Sequence, residues 1–264
     1  MEQLKVYFQQ ADLAMAAYAS LSTGEPSQAE LIRVGMSLIQ AEAFASHWRV
    51  ADQFNHESSG LSATIFEEVS SERRYLAVRG TEGLSDLQDI LTDIVDIGFW
   101  GTPERQAQYS ALSDQVDIWL ADGILTSGFT VAGHSLGGFL AGALLVDYPT
   151  EIEHAYLYNT PGIGGLKSTL QLLTGSDVAP TLDLSKVSNL IAETGPSLVA
   201  GLGVDWGVPI PVLIEDQTPN ILDNHRIMHL TDSLAVQSML SELSASEYPG
   251  DIKRYCVPRL PRMP

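Results

Sequence analysis

The run Gly128-Phe129-Thr130-Val131-Ala132-Gly133-His134-Ser135-Leu136-Gly137-Gly138 constrains this chain more than any other stretch. Residues 129–132 suit a buried strand, residues 139–147 suit a helix that stops before Pro149, and the Gly-x-Ser-x-Gly pentad joins them with nothing to spare. A turn this tight leaves no room for side chains at Gly133 and Gly137, and it lifts Ser135 outward at the end of the sheet. Ser135 is therefore a candidate nucleophile. The competing reading is a serine that merely caps the helix behind it.

Charge narrows the partners. Against 33 Asp+Glu stand 14 Lys+Arg, a formal charge of −19 that repels phosphate backbones and anionic bilayer surfaces. Nucleic acid is excluded as a natural partner, and neutral or zwitterionic substrates fit better. With 264 residues the chain can bury a sizeable core without metals or disulfides, and a single α/β domain over 1–264 is expected. Cys256 stands alone, so no internal disulfide forms, and it reads as a packed or surface thiol. Residues 1–21 place Leu4, Phe8, Leu13, Met15 and Tyr18 at helical spacing without a cationic leader, which reads as an amphipathic helix and not as a secretion signal. No apolar stretch approaches the length of a bilayer span. Localisation stays open between secreted and cytoplasmic.

Along the chain a βα rhythm follows two opening helices, expected over 1–20 and 29–46 with a break at Thr23-Gly24-Glu25-Pro26. Strands are expected at 62–69 and 74–79, joined as a hairpin by Ser70-Ser71-Glu72, and later at 129–133, 155–158, 187–192 and 208–214. Helices are expected at 84–97, 103–120, 136–148 and 227–243. This alternation predicts a central, mostly parallel sheet with helices on both faces, and a functional site at the carboxyl ends of its strands.

A serine needs a base, and where a strand-to-helix turn carries the nucleophile the acid and histidine follow it in sequence. Of the six histidines, His47 and His56 precede Ser135, His134 points away from the attack direction, and His154 comes before the strand that would carry the acid. His225, in the polar loop Asp223-Asn224-His225-Arg226, is the candidate base, expected on a mobile, exposed connection; His229 reads as a packed or capping residue. The acid that orients it is expected at Glu193, just after the strand over 187–192, with Asp205 as competitor and Asp223 as a weaker third. For the oxyanion formed during attack, the donors expected are the Leu136 N–H and Thr81, in the loop after Tyr75-Leu76-Ala77-Val78-Arg79-Gly80.

Val78-Arg79-Gly80-Thr81 with Ser85-Asp86 and Leu91-Thr92-Asp93, the elbow Gly133-His134-Ser135-Leu136-Gly137-Gly138, and Asn159-Thr160-Pro161-Gly162 together resemble the class 3 lipases, the fungal-type triacylglycerol lipases and their bacterial relatives. The resemblance is strongest over the middle third of the chain. It implies an α/β-hydrolase fold, Ser135 as nucleophile, and Thr81 and Leu136 as oxyanion donors. Residues 193–234 are closer to lipase-like domains of large bacterial secreted proteins, where an Asn-His pair such as Asn224-His225 precedes a helix resembling Leu230-Thr231-Asp232-Ser233-Leu234. The family has Asp where Glu193 stands here. The disulfides of many fungal members cannot form with one cysteine, which points to a bacterial source.

Two segments are candidates for a helical lid, 94–101 with Phe99-Trp100 between glycines, and 163–184 with Leu166, Leu170, Leu172 and Leu173; the competing reading is packed helices. Asp86, Asp89, Asp93 and Asp96 recur at helical spacing and suit a solvated face better than a calcium site, so no cofactor or metal is expected. The reading is a lipase that cleaves acylglycerol-type esters through an acyl-enzyme, acting on lipid or ester at a lipid-water interface. Phospholipase or short-chain carboxylesterase activity is the alternative within that chemistry, and a non-catalytic binding module on a hydrolase fold is the alternative outside it.

Overall fold

A computed structural model describes residues 2–80, 103–162, 183–193, 205–215 and 224–247. The chain opens with helices α1 (Glu2–Ala16), α2 (Gln28–Arg33) and α3 (Leu38–His47), followed by strands β1 (Trp48–His56), β2 (Leu61–Glu68) and β3 (Arg74–Val78). Then come α4 (Pro103–Ala121), β4 (Phe129–His134), α5 (Leu136–Asp147), β5 (Ile152–Tyr158), β6 (Val187–Ala192), β7 (Ile210–Val212) and α6 (Ile227–Glu247). The seven strands form one sheet whose spatial order is the chain order. β1, β2 and β3 pair antiparallel, and β3 through β7 pair parallel.

Period-two alternation divides the sheet into two apolar faces. Leu76, Val78, Val131, Ala155 and Leu157 join a core with Leu112, Val116 and Trp119 of α4 and Phe139, Leu140 and Leu144 of α5. Ala77, Ala132, Tyr158, Leu190 and Ala192 join a second core with Ala11, Ala14 and Met15 of α1 and Leu230 and Leu234 of α6. Helices thus cover both faces, as expected. Every residue of α5 from Leu136 to Leu145 is buried, which explains why its sequence LGGFLAGALLVD carries no charge before its last position. At Gly142 a Cβ would come within 2.8 Å of the Trp206 ring, and Trp206 Nε1–H donates to the Pro161 carbonyl at 3.0 Å. Trp206 is thereby held against α5.

Several boundaries differ from the sequence expectation. The helix expected over 29–46 is two helices, because Gly35 turns left-handed at φ +111° and Ser37 starts α3 with a capping box to Gln40. The strand expected over 208–214 shortens to Ile210–Val212. Strand β1, absent from the sequence reading, runs antiparallel to β2 at the sheet edge, and its half-buried polar residues Arg49, Asp52 and Gln53, with exposed Asn55, dilute the alternation that would mark it. The expected helix over 84–97, the lid candidate 94–101, residues 163–182 of the second lid candidate, the acids Asp86, Asp89, Asp93 and Asp96, and Cys256 lie outside the described residues. Among the described residues no group of three or more His, Cys, Asp or Glu could hold a metal ion, and no helix is long and apolar enough to cross a membrane.

Candidate active site

The elbow is built from close contact. Ser135 sits at φ 56°, ψ −127°, a region that L residues avoid and that costs about 1–3 kcal/mol unless its surroundings impose it. Here they do. The Ser135 N–H donates to the Tyr158 carbonyl of β5 at 3.0 Å, and its own carbonyl accepts from the Phe139 N–H at 3.1 Å. Beside it, a Cβ on Gly133 would overlap the Gly137 carbonyl, and a Cβ on Gly137 would overlap the Val78 carbonyl. Ser135 heads α5, yet its side chain makes no capping bond, so the helix-cap reading fails. Its neighbours His134 and Leu136 are buried while Ser135 itself is half-buried. The Leu136 N–H belongs to the first turn of α5, where backbone donors have no helical acceptor and the helix dipole is positive.

Strand β3 brings the second expected oxyanion region to the same place. Val78 pairs with Gly133, and a Cβ on Gly80 would lie 3.4 Å from Ser135 Cβ, 2.7 Å from the His134 carbonyl and 2.5 Å from Tyr18 Oη. The chain therefore leaves β3 alongside Ser135. Thr81, the next residue, lies outside the described residues.

Four histidines are placed elsewhere or held by other partners. His47 meets Glu68 at 3.0 Å, His56 meets Ser59 at 2.7 Å, His154 meets Ser188 at 2.9 Å, and His229 lies half-buried on α6. His134 sits beneath the elbow between Tyr18 Oη, 2.9 Å from Nδ1, and the carbonyl oxygen of His225, 2.8 Å from Nε2. His225 is not the exposed loop residue that its polar surroundings predict: it is only 2 % exposed. The reason is its backbone, whose carbonyl is held by His134 and by Asn159 Nδ2 at 3.0 Å, drawing the residue in against the elbow. Its ring lies 4.9 Å from the His134 ring, and among the described residues neither of its nitrogens has a hydrogen-bond partner. A buried imidazole with two unsatisfied nitrogens is costly to keep, and such orphans are the groups that a reaction or a ligand uses.

No carboxylate meets that ring among the described residues. Glu193, the first residue after β6, is exposed and donates its backbone N–H to the Val212 carbonyl at 2.9 Å. Asp205 is half-buried beside the packed Trp206, and Asp223 lies outside the described residues. The structure thus brings His225 against His134, the residue before Ser135, and among the described residues neither expected acid meets the His225 nitrogens. Sequence reasoning missed three residues here. Tyr18, His134 and Asn159 form the hydrogen-bonded seat of His225, and only Asn159 carries a sequence trace, a strand end followed by Thr160-Pro161-Gly162, where its φ of +43° suits asparagine.

Solved structures share this fold. Lip2 lipase from Yarrowia lipolytica superposes with a TM-score of 0.56 and 17 % identity, covering 86 % of this chain and 94 % of that one. The fold is that of the α/β-hydrolases. A triacylglycerol lipase from Penicillium expansum is similar over 80 % of each chain at 11 % identity and a TM-score of 0.48. Lipase II from Rhizopus niveus is similar over 74 % of this chain and 73 % of that one, at 15 % identity and a TM-score of 0.46. No family model matches the sequence, and no curated protein matches it. In the hydrolase fold, Ser135 stands at the carboxyl end of β4, Asn159 at that of β5 and Glu193 at that of β6, all on one rim of the parallel sheet.

Burial sets the protonation at this rim. It lowers His134 to about 4, opposed in part by the bond to the His225 carbonyl. Burial also drives His225 well below the ordinary histidine value, with His134 adding in the same direction. Both rings are therefore neutral at neutral pH, and burial works against a charged imidazolium at either. Stability follows with a definite sign. The unfolded chain binds protons on these histidines near 6.5 and the folded one does not, so folding loses stability as pH falls from about 6.5 to about 4. The His134 share is about 3 kcal/mol by linkage. Urea unfolding at a series of pH values is expected to show this slope, and His134→Gln to flatten it; an equal slope in both proteins would contradict the assignment.

Proposed function

We propose that this chain is a serine ester hydrolase of the lipase type, with Ser135 as nucleophile and His225 as general base. The observation that carries the reading is the pairing of a serine held in a strained turn, its side chain unused for capping, with a buried histidine whose ring nitrogens are both unclaimed. Ser135 Oγ attacks the acyl carbonyl as His225 takes its proton, and the oxyanion forms against the Leu136 N–H and Thr81. His225 then delivers the proton to the departing alcohol. Water, activated by the same imidazole, attacks the acyl-enzyme and releases the carboxylic acid. Glu193 is assigned as the carboxylate that orients His225, with Asp205 as the alternative; either must turn onto a ring nitrogen that is unpaired in the described structure. No cofactor takes part.

A lipid-type ester is the substrate best supported. The fold likeness is to a protein described as Lip2 lipase, and the charge of −19 favours neutral or zwitterionic molecules. The bacterial affiliation rests on the sequence resemblance of residues 193–234 and on the single cysteine. A series of p-nitrophenyl esters from acetate to palmitate, assayed below and above micelle formation, tests the reading. Turnover that grows with chain length and steps up with the interface is expected. Turnover greatest on acetate with no step would make the chain a short-chain esterase, and none on any ester would leave a binding module on a hydrolase fold.

A further inference from the structure

We infer that His134 and Asn159 are positioning residues that fix the imidazole of His225 by gripping its backbone carbonyl, and so tie the nucleophile, the base and the strand end before Glu193 into one hydrogen-bonded unit. The inference rests on the reading of His225 as base.

A carbonyl oxygen can only accept, so His134 Nε2 must carry the hydrogen across the 2.8 Å contact to His225. Its Nδ1 is then a lone pair and accepts the Tyr18 hydroxyl at 2.9 Å. One tautomer alone satisfies both ends, and the neutral state imposed by burial keeps it. Asn159 closes the unit from the other side. Its Nδ2–H donates to the same His225 oxygen at 3.0 Å, its Oδ1 accepts the Ala192 N–H at 2.9 Å, and its own N–H donates to the Leu190 carbonyl at 2.9 Å. Ala192 is the last residue of β6 and the peptide neighbour of Glu193. His134 is the peptide neighbour of Ser135. Among the described residues the His225 nitrogens meet no side chain, so the backbone that carries the ring sets its starting position, and these two donors set that backbone. Tyr18 extends the unit to the start of the chain, because its hydroxyl also lies against Gly80, the residue before Thr81.

The test separates donor chemistry from mere packing. His134→Phe keeps a ring of similar size but removes both nitrogens, while His134→Gln returns an amide N–H at the reach of Nε2. Since misplacing a reacting group by about 1 Å can cost about 100-fold, His134→Phe is expected to lower kcat on p-nitrophenyl esters about 10- to 100-fold, with KM changed less than about twofold. His134→Gln is expected to restore most of the loss, and Asn159→Asp, which keeps the acceptor for Ala192 but loses the donor, to behave like His134→Phe. Full kcat in His134→Phe overturns the inference, as does a Gln variant that folds but performs no better than Phe. If His134→Phe does not fold, Tyr18→Phe removes one hydroxyl, and a fall in kcat of about threefold to tenfold is expected from the loss of one hydrogen bond; an unchanged kcat overturns the inference. His225→Ala, assayed in parallel, keeps the two readings apart. Activity retained there removes the base assignment and this inference with it, whereas an inactive His225→Ala beside a fully active His134→Phe removes only the positioning role.

Discussion

Replacing His225 by alanine is expected to lower kcat on any ester substrate by about four orders of magnitude or more while leaving the protein folded. The size follows from what the imidazole does. Without it, Ser135 must attack as a neutral hydroxyl, and the alcohol must leave without a proton donor. What survives is the contribution of the oxyanion donors and of substrate binding, which the substitution does not touch. Folding should survive because the hydrogen bonds that seat the residue run through its backbone carbonyl, to His134 and Asn159, and survive loss of the ring. Removing a buried ring with unsatisfied nitrogens also removes a desolvation cost, which offsets part of the cavity left behind. Steady-state kinetics with a thermal melt of the same preparation checks both halves. A folded His225→Ala enzyme with kcat within tenfold of the parent would show that another group accepts the serine proton.

Gly137→Ala is expected to be the most destabilising single-methyl change at the elbow, about 3 kcal/mol or more. A Cβ there would overlap the Val78 carbonyl and lie 2.6 Å from the Arg79 carbonyl carbon and 2.8 Å from the Gly80 nitrogen. All three are backbone atoms, so no side chain can rotate aside, and the exit of β3 must move. That exit leads to Thr81, so activity is expected to fall along with stability. Gly60→Ala is the natural comparison. Gly60 has φ +68° with nothing within 4 Å of the added methyl, so only backbone strain remains, about 1 kcal/mol. Urea unfolding of both variants separates the two causes; a Gly137 variant no worse than the Gly60 variant would mean that the elbow is looser than its contacts require.

The elbow was legible in the sequence because its constraint is local. Strand, glycines, serine and helix lie within a dozen consecutive residues, and the same glycines that mark the motif are the ones with no room for a methyl. The parallel strands were legible for a similar reason, since both faces of β4 are buried and Phe129-Thr130-Val131-Ala132 reads as a continuous strand. The seat of His225 was not. Its neighbours Asp223, Asn224 and Arg226 are polar, and its burial is decided by a carbonyl captured by side chains 91 and 66 residues away. His134 was set aside because it points away from the attack direction, and that same orientation lets it reach His225 from beneath. The expected acid stayed open among Glu193, Asp205 and Asp223, because which carboxylate could reach an imidazole depends on side-chain geometry that spacing does not encode.

The most direct measurement is covalent labelling with a p-nitrophenyl phosphonate ester followed by peptide mapping. The phosphorus reacts fastest with an activated nucleophile, and p-nitrophenolate leaves as the adduct forms. One equivalent of adduct on Ser135, formed much more slowly in His225→Ala, is the result predicted here. No adduct, or an adduct on another residue with Ser135 untouched, would contradict the assignment of Ser135 as the nucleophile.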